Sequence, residues 1–324
     1  MQLRRTLALG VTSLALLATG TVGVSAQGTT IRIGSDNFYE SKLVGEIYAQ
    51  VLEANGWTVD RQLGLGSRAE RNPVFQGGQV DLVPEYVGSG LGYYTLAEGA
   101  SEELAALTVT GDGATNAANL QQALTLAEVD ATVLGISAGE DTNAAVVRAD
   151  TAAELGLTKM SDLTAVQAEL TWGIPPDCAS NPLCKGALEA YGITYPPADL
   201  VELAACDAPI ADALNGNAVD FAWLCSTQPQ IAQYGFVVLE DDLDTQPAEN
   251  MAPIVRNDFL ATAGIDAAAL GAILDPFSAA LTTEVLTEMG VKVAVDQQDI
   301  EDVAAEFIAA IQLPAGTPAA SPAS

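Results

Sequence analysis

Short apolar runs alternate along the chain with amphipathic segments of helical length. The runs TIRIGS (30–35) and QVDLVPEY (79–86) are typical of buried strands, and SKLVGEIYAQVLEANG (41–56) between them carries apolar residues at helical spacing. Strands that alternate with helices in this way predict βαβ units and a largely parallel sheet. The pattern therefore predicts an α/β fold.

The same rhythm starts again near residue 137, where NAAVVRA, LTWGIPP, LVELAA and VDFAWLCST predict further strands. We therefore expect two lobes, with residues 27–135 and 243–312 in lobe I and residues 136–242 in lobe II. The chain would cross between the lobes near 134–142 and again near 235–246. Two lobes joined in this way enclose a cleft, and clefts between domains are preferred ligand sites.

The two ends of the chain have different patterns. Arg4 and Arg5 precede the apolar stretch LALGVTSLALLATGTVGV, which ends in Val24-Ser25-Ala26. A charged start, an apolar centre and small residues at a cleavage site predict a secretory signal in residues 1–26, cleaved after Ala26. An uncleaved membrane anchor is the alternative. The protein is thus expected to be exported, either periplasmic or at the cell surface, and the Pro/Ala/Ser-rich residues 313–324 are expected to be disordered.

Charge and composition exclude several functions. The chain has 42 acidic and 12 basic residues, a formal charge of −30, and no basic run, so nucleic acid is not an expected partner. GISAG at 135–139 matches a nucleophile elbow, but the chain contains no histidine to act as its base. GLGSRA at 64–69 is a weak dinucleotide pattern after the second strand, and a plain helix start explains it as well. We expect no cofactor.

Two further features bear on metals and disulfides. The acidic run at 240–244 lacks the ligand spacing of a calcium loop, so a solvated turn is expected there and no metal site. Export favours disulfides, and four cysteines permit three pairings. We predict Cys178–Cys184, which closes a proline-containing loop, and Cys206–Cys225, which joins neighbouring strand ends. A zinc site is the alternative, although the cysteine spacings do not match one.

The stretch GSDNFYES at 34–41 concentrates aromatic and polar residues where the first strand gives way to a helix. Ser35, Asp36 or Asn37 could each cap that helix. Together with LGLGSRAERNPVFQGGQVDLVPEYVGSGL and VLEDDLDTQPAENMAPIVR, this stretch resembles the substrate-binding proteins of osmoprotectant ABC importers. These are the glycine betaine, choline and carnitine binders of the periplasmic binding protein type, and the resemblance covers residues 30 to 312.

The resemblance implies a type II periplasmic binding protein fold, with two lobes joined by two crossover strands that form a hinge. It also implies a quaternary ammonium ligand held in a cage of aromatic rings, because a ring face attracts a cation. Tyr86 falls at one cage position, and Ser89 stands where the family usually has threonine. The stretch GSDNFYES takes the place of the family's GSKNFTE and would be the first loop that lines the cleft. Its candidate ligand-binding residues are Ser35, Asp36, Asn37, Phe38 and Tyr39.

The sequence departs from the family at several of these positions. Asp36 replaces the usual lysine, and Asn181 lies near where some members have an arginine. Asn143, Ile210 and Cys225 fall at aromatic positions, with Ser226 adjacent. Trp172 and Trp223 are candidates to rebuild the cage, although strand alternation can turn Trp223 away from the cleft. We therefore expect a cationic or zwitterionic ligand, closer to choline than to betaine, with Asp36 as its counter-charge. The competing interpretation is that Asp36 only caps the helix.

These features predict an extracytoplasmic solute-binding protein of an ABC importer, not an enzyme. It would bind a small quaternary amine, act as a monomer and deliver the ligand to a membrane permease. One alternative is a sensory or adhesive module of the same fold with a different ligand, such as an amino acid or another amine. A second is an exported hydrolase that uses carboxylates only, which would need a close Asp/Glu pair in the cleft with separated pKa values.

Overall fold

The computed structural model describes residues 29–312, so the predicted signal segment and C-terminal tail lie outside the described residues. These residues form two five-stranded sheets. The first has the strand order β2-β1-β3-β10-β4: β1 Thr30–Gly34, β2 Thr58–Gln62, β3 Leu82–Tyr86, β4 Ala131–Val133 and β10 Met251–Arg256. The second has the order β7-β6-β8-β5-β9: β5 Asn143–Val147, β6 Trp172–Ile174, β7 Leu200–Glu202, β8 Phe221–Cys225 and β9 Val237–Val238. We call the regions around them lobe I and lobe II.

The mixed α/β class is confirmed, but the prediction of largely parallel sheets is wrong. In lobe I, β1 runs parallel to β2 and β3, whereas β10 pairs antiparallel with both β3 and β4. In lobe II, β6 runs parallel to β7 and β8, whereas β5 pairs antiparallel with β8 and β9. The antiparallel strands β5 and β10 are those that directly follow a crossing between lobes, so their direction is set by the return of the chain rather than by a βαβ unit.

Helices cover both faces of the lobe I sheet. Five belong to its first chain segment: α1 Tyr39–Ala54, α2 Arg68–Gln76, α3 Val87–Thr95, α4 Glu102–Ala105 and α5 Gly113–Leu126. Helix α1 is buried along most of its length, and its apolar face, including Leu43, Ile47 and Val51, packs in one core cluster. Lobe II carries shorter helices: α6 Ala149–Leu155, α7 Leu163–Val166, α8 Ala187–Ala190, α9 Ala208–Asn215 and α10 Gln230–Tyr234.

The chain then returns to lobe I with four helices that pack in the same core as α1: α11 Asn257–Ala263, α12 Ala267–Ser278, α13 Thr283–Gly290 and α14 Ile300–Gln312. Short helical turns complete the described elements: Met160–Asp162, Pro176–Ser180, Pro182–Gly186 and Val291–Val295. Within residues 29–312 no single helix has the length and apolar character to cross a membrane, and only α11 and α12, bent by 106° at their junction, meet those criteria as a pair.

Two chain segments connect the sheets. The first, between β4 and β5, matches the predicted crossing at 134–142. The second crossing, predicted at 235–246, begins later than expected. Strand β9 still belongs to the lobe II sheet, and the Glu240 carbonyl accepts a hydrogen bond from the Met160 amide in lobe II. The two segments contact each other through an antiparallel bridge between Glu140 and Asn250. The predicted lobe boundaries fall within these two connecting segments.

The Ala/Gly-rich residues 87–118 lack a clear apolar period, yet they form helices in the structure. Helix α3 occupies the start of this segment and packs against α5. Its glycines lower helix propensity but allow close packing: a Cβ on Gly88 would lie 2.8 Å from the Ala248 carbonyl oxygen, and a Cβ on Gly90 would lie 2.8 Å from the Glu85 side chain. Tertiary packing therefore overrides the sequence preference here.

The GISAG motif lies in the first connecting segment and has a structural role. The buried Ser137 hydroxyl donates to the Gly139 carbonyl at 2.6 Å and accepts from the Met251 amide at 2.8 Å. A Cβ on Gly139 would lie 2.1 Å from the Thr283 nitrogen, so only glycine fits at this position. The motif thus fixes the connecting segment against β10 and α13.

Candidate functional site

The site develops at the carboxyl ends of β1 and β3, where loops leave the lobe I sheet toward lobe II. Helix α1 begins at Tyr39, and its N-cap residue is Phe38, whose side chain cannot accept a hydrogen bond from the helix. The prediction that Ser35, Asp36 or Asn37 caps this helix is therefore wrong. The acidic residue in the first turn, Glu40, faces the positive end of the helix dipole.

Three aromatic side chains meet at this position. The rings of Phe38 and Tyr86 stack with their centroids 6.0 Å apart and 28° between their planes. Tyr39 lies next to them, and its ring and hydroxyl leave no space for a Cβ on Gly290 at the end of α13. Tyr86 is almost completely buried, while Phe38 and Tyr39 are half-buried. Lobe I thus offers ring faces at the edge that lies against lobe II.

Glu40 connects these rings to the other lobe. The Tyr86 hydroxyl donates to Glu40 Oε1 at 2.7 Å, and the Thr227 hydroxyl, from the loop after β8, donates to Glu40 Oε2 at 2.8 Å. Because Thr227 belongs to lobe II, these contacts describe a cleft whose walls are closed against each other.

The carboxyl of Asp141, on the first connecting segment, completes the cluster. Asp141 Oδ1 accepts a hydrogen bond from the Thr227 amide at 3.1 Å and one from the Ser226 hydroxyl at 3.4 Å. Thr227 thus contacts both carboxyls, Asp141 through its amide and Glu40 through its hydroxyl. We call Glu40 and Asp141 the acid pair. Lobe I, the first connecting segment and lobe II thus each contribute side chains to one cluster.

Burial controls the ionisation of the acid pair. Removal from water raises the pKa of Glu40 well above its usual value, and the negative charge of Asp141 raises it further, in spite of hydrogen bonds from Tyr86 and Thr227. Burial likewise raises the pKa of Asp141. Burial also raises the pKa of the Tyr39 and Tyr86 hydroxyls, which remain neutral donors. Among the described residues, none of the principal interactions acting on either carboxyl comes from a cation.

A second group of buried charges lies beside the acid pair but is compensated. The Arg71 guanidinium, 1% exposed, contacts Asp36 at 3.1 Å and Glu85 at 2.7 Å. Arg68 binds the other oxygen of Glu85 at 2.8 Å. Burial alone would raise the pKa of Glu85, but the two guanidinium groups lower it to about 2. We call Asp36, Arg68, Arg71 and Glu85 the compensated network.

The predicted role of Asp36 as the ligand's counter-charge is not supported by this geometry. Its carboxylate is occupied by Arg71 in the interior of lobe I, and its backbone amide donates to the Ser41 hydroxyl at 3.1 Å. Neither is Asp36 a helix cap. The counter-charge role stays an untested prediction for Asp36, and the uncompensated carboxyls of the acid pair meet its requirement better.

Ser89 lies at the border of the compensated network. Its hydroxyl accepts from Arg68 at 2.7 Å and contacts the Glu249 carboxyl at 3.4 Å. Glu249 comes from the second connecting segment and also accepts from the Gly88 amide at 3.2 Å. Burial raises the pKa of Glu249 to about 7.

Of the remaining predicted ligand residues, Ser226 contacts the acid pair, as described above. Asn143 donates to the Gln246 side chain at 2.8 Å, and the same Gln246 donates to the carbonyl of Leu183, in the loop that contains Asn181. Asn181 itself accepts from the Leu183 amide. The structure therefore places Asn143 and Asn181 around Gln246, on the side of the second connecting segment.

Ser35 and Asn37 hold the first loop in place. The Ser35 hydroxyl donates to the Asp36 carbonyl and accepts from the Gly64 amide, both at 3.0 Å, and its side chain is fully buried. Asn37 is exposed, and its backbone amide donates to the Gly66 carbonyl. These two residues shape the loop that presents Phe38 to Glu40.

Both predicted disulfides, Cys178–Cys184 and Cys206–Cys225, are present in the structure. The second fixes the end of β8 just before Ser226 and Thr227 and leaves Cys225 7% exposed. Within residues 29–312 no group of three or more potential metal-ligating side chains comes together. The acidic turn at 240–244 is bound to its own lobe: Asp241 accepts from the Tyr191 hydroxyl at 2.5 Å, and Asp242 accepts from the Ser161 hydroxyl at 2.8 Å.

The tryptophans considered for a rebuilt cage belong to the lobe II core. Trp172 is completely buried and Trp223 is 1% exposed, and both pack against Phe221, with ring centroids 4.5 and 6.0 Å away. Ile210 is also fully buried, in a neighbouring cluster. The strand alternation that the sequence indicated does turn Trp223 away from the cleft.

Sequence reasoning missed three residues of the cluster: Glu40, Asp141 and Thr227. Glu40 lies inside the stretch GSDNFYES, but an acidic residue in a first helical turn is common and usually solvated. Asp141 and Thr227 lie in loops without a motif. The contact between Thr227 and Glu40 joins residues 187 positions apart, so no local pattern indicates it.

Comparison with known proteins shows the family to which the chain belongs. Residues 29–310 match the family described as the substrate binding domain of ABC-type glycine betaine transport systems. The chain is 28% identical over 294 residues to the glycine-betaine-binding protein of Pseudomonas aeruginosa, covering 87% of this chain and 88% of that protein. It is 26% identical over 306 residues to the glycine betaine-binding protein YehZ of Escherichia coli, covering 91% and 95%.

Among solved structures, a glycine betaine/carnitine/choline ABC transporter protein superposes with a TM-score of 0.67 and 20% sequence identity, covering 86% of this chain and 98% of the other. This likeness supports the two-lobed periplasmic binding protein fold. Because the family match covers most of the chain, the protein belongs to the substrate-binding proteins of ABC-type glycine betaine transport systems.

Proposed function

We propose that this protein is the solute-binding component of an ABC importer and binds a quaternary-ammonium osmolyte of the choline and glycine betaine class in the cleft between its lobes. The observation that supports this most directly is the cluster of Phe38, Tyr39 and Tyr86 around the acid pair, with Thr227 of lobe II against it. Ring faces and buried carboxyls both favour a cation that cannot donate hydrogen bonds.

The ligand would act by stabilising the closed arrangement. The cluster draws side chains from lobe I, the first connecting segment and lobe II, so it is complete only when the lobes meet. A ligand that contacts all three favours the closed state over an open one, which is the condition for a conformational change. Closure by movement at the two connecting segments would then present the loaded form to a membrane permease.

The setting of this function is part of the proposal. We propose that the protein is exported, that residues 1–26 are removed after Ala26, and that it works as a monomer. The family's role in transport supports an extracytoplasmic location.

The test is thermal unfolding of the purified protein with choline, glycine betaine, carnitine, proline betaine, ergothioneine and common amino acids. A ligand that binds only the folded state stabilises it by about 2.7 kcal/mol at a hundredfold excess over its Kd. We expect the midpoint to rise with at least one quaternary amine. A rise with amino acids alone would contradict the proposal and favour the alternative of a binding module with another ligand.

The acid pair also supports a second candidate, an exported hydrolase that uses carboxylates only. Two buried carboxyls that both contact Thr227 provide the close Asp/Glu pair that such chemistry requires. The two functions differ in the fate of the ligand. A solute-binding protein returns its ligand unchanged when the complex is denatured, whereas an enzyme returns products, for example from choline esters incubated at about pH 4 to about pH 7. Mass spectrometry of the released ligand decides between them.

A further inference from the structure

One side-chain hydrogen bond joins the two lobes directly. The Thr227 hydroxyl, from the loop after β8 in lobe II, donates to Glu40 Oε2 on α1 of lobe I at 2.8 Å. The other side-chain hydrogen bonds of the described residues stay within one lobe or end on a connecting segment, as the bonds from Asn143 to Gln246 and from Gly88 to Glu249 do. We call the bond between Thr227 and Glu40 the latch.

The loop that carries Thr227 is fixed to lobe II and to the first connecting segment. The Ser226 amide donates to the Thr142 carbonyl at 2.8 Å, and the Thr142 amide donates to the Ser226 hydroxyl at 3.0 Å. The Thr227 amide donates to Asp141 Oδ1 at 3.1 Å. These backbone bonds hold the loop in one position, so the Thr227 hydroxyl moves together with lobe II.

Glu40 is held on lobe I with the same firmness. It lies in the first turn of α1, and the Tyr86 hydroxyl, at the end of β3, donates to its Oε1 atom at 2.7 Å. The other carboxyl oxygen, Oε2, is the one that Thr227 reaches. Two fixed supports therefore meet through one short bond, and such a bond is lost when its atoms separate by about 1 Å.

The latch contributes only while the lobes are together. Glu40 and Thr227 are each 1% exposed, so water does not replace their bond in the closed arrangement. A buried carboxyl oxygen that loses its donor is costly, whereas the same oxygen in water finds other donors. Loss of the Thr227 hydroxyl therefore penalises the closed arrangement and leaves an open one almost unchanged.

We infer that the latch holds the lobes closed before a ligand arrives and has to break each time a ligand enters or leaves. This inference rests on the proposed function, because it assumes that the lobes part to admit a ligand. Thr227 acts here through the equilibrium between open and closed lobes and not through contact with the ligand. The strength of one interlobe hydrogen bond thus sets how often the cleft opens.

The first measurement is the distance between the lobes without ligand. All four cysteines of the chain form disulfides, so Glu103→Cys in lobe I and Glu169→Cys in lobe II, both at exposed positions, provide the only thiols for spin labels. Pulsed electron paramagnetic resonance then gives the populations of closed and open molecules. Thr227→Val keeps the shape of the side chain without its hydroxyl. We expect it to raise the ratio of open to closed molecules by about tenfold, a usual effect of one hydrogen bond to a charged group.

Two further variants are the controls. Thr227→Ser keeps the hydroxyl and should show the distances of the wild type. Thr132→Val removes a hydroxyl that donates to Asn257 at 2.7 Å, and both of these residues belong to lobe I. This variant should leave the distance between the lobes unchanged even if it lowers the unfolding midpoint. Circular dichroism shows whether each variant is folded.

The second measurement is the binding kinetics of choline and glycine betaine. In Thr227→Val both association and dissociation should be faster, because each passes through the open form and the open fraction has increased. A residue that only contacts the ligand would change dissociation and leave association as it was. Unchanged association with faster dissociation would therefore overturn the inference.

The outcomes separate this inference from the proposed function. If Thr227→Val keeps the distances of the wild type, the latch is wrong, whichever ligand binds. If Thr132→Val or Thr227→Ser opens the lobes as much as Thr227→Val does, the inference is also overturned, since the interlobe bond is then not the cause. If Thr227→Val opens the lobes but no quaternary amine binds, the latch stands and the proposed function fails.

Discussion

The acid pair and the compensated network are two groups of buried carboxyls at the same end of the lobe I sheet, yet they are stabilised in opposite ways. In the network, Arg68 and Arg71 neutralise Glu85 and lower its pKa to about 2. In the pair, burial and mutual repulsion raise the pKa of Glu40. The comparison shows that buried carboxyls at one end of a sheet can have opposite pKa shifts, depending on whether a cation is bound to them.

The largest loss of stability is expected when the central cation of the compensated network is removed. Arg71→Met would leave Asp36 and Glu85 buried without one of their partners, since Arg71 contacts both. We expect the free energy of unfolding to fall by about 3–5 kcal/mol, because uncompensated buried charges are strongly destabilising. Urea denaturation of the unliganded protein measures this loss.

The control for this change is Lys292→Met, which removes a half-exposed partner of the exposed Glu306. Exposed ion pairs contribute roughly 0–1 kcal/mol, so this variant should unfold almost as the wild type does. Equal losses in both variants would show that the network is not more tightly coupled than a surface pair.

A second prediction uses the opposite pKa shifts. Glu85 has a lowered pKa, so its contribution to stability is present above the unfolded value of about 4.3 and is lost as pH falls toward about 2. Glu40 has a raised pKa, so its contribution is present below that unfolded value and is lost as pH rises through the folded value. Without ligand, stability should therefore decline on both sides.

The Glu40→Gln variant isolates the alkaline decline. We expect the unliganded variant to be more stable than the wild type at about pH 8, by roughly 0.5–2 kcal/mol, because no carboxylate has to ionise in the interior. The acidic decline, which depends on Glu85, should be unchanged. Unfolding midpoints across the pH range test both statements, and an unaltered alkaline limb would contradict the assignment to Glu40.

The smallest effect on stability is expected when the Tyr86 hydroxyl is removed from the cluster. Tyr86→Phe keeps the ring that stacks on Phe38 but removes the donor to Glu40. We expect the unliganded protein to lose about 0.5–1.5 kcal/mol of stability, the usual net value of one hydrogen bond. Ligand Kd, measured by calorimetry, should change little if the ring face carries the attraction. A loss of binding as large as in Tyr86→Ala would show that the hydroxyl is needed.

Much of the fold was predictable because buried strands and helices show a periodic pattern of apolar residues in the sequence. The strands β1, β3, β5 and β8 fall within segments that the apolar pattern indicated, and helix α1 overlaps the predicted segment 41–56 but begins two residues earlier. Helix α3 was missed because its glycines disfavour a helix. The structure needs them there, since Ala248 and Glu85 approach the helix too closely for a larger side chain. The direction of β10 was missed for a similar reason, since it depends on how the chain returns from lobe II.

The candidate site was predictable only in part. Phe38 and Tyr39 were identified because they stand together at a strand end in a chain with 6% aromatic content, and Tyr86 because it falls at a cage position of the family that the sequence resembles. Their place in the cluster is clear, while a ligand role for them is still a prediction. Asp36 attracted attention as the residue that differs from the family, but the structure pairs it with Arg71 from α2.

The sequence by itself determined the alternation of strands and helices and the position of Tyr86 at the end of a buried strand. These features follow from local spacing and from residue type. Only the tertiary structure decided which carboxyls are compensated, because that depends on which distant segments meet. Asp141, on the first connecting segment, meets Thr227 of lobe II, and Thr227 reaches Glu40 across the cleft. Charge interactions at close range depend on such distances far more than on sequence neighbours, so the chemistry of the cleft is a property of the closed lobes.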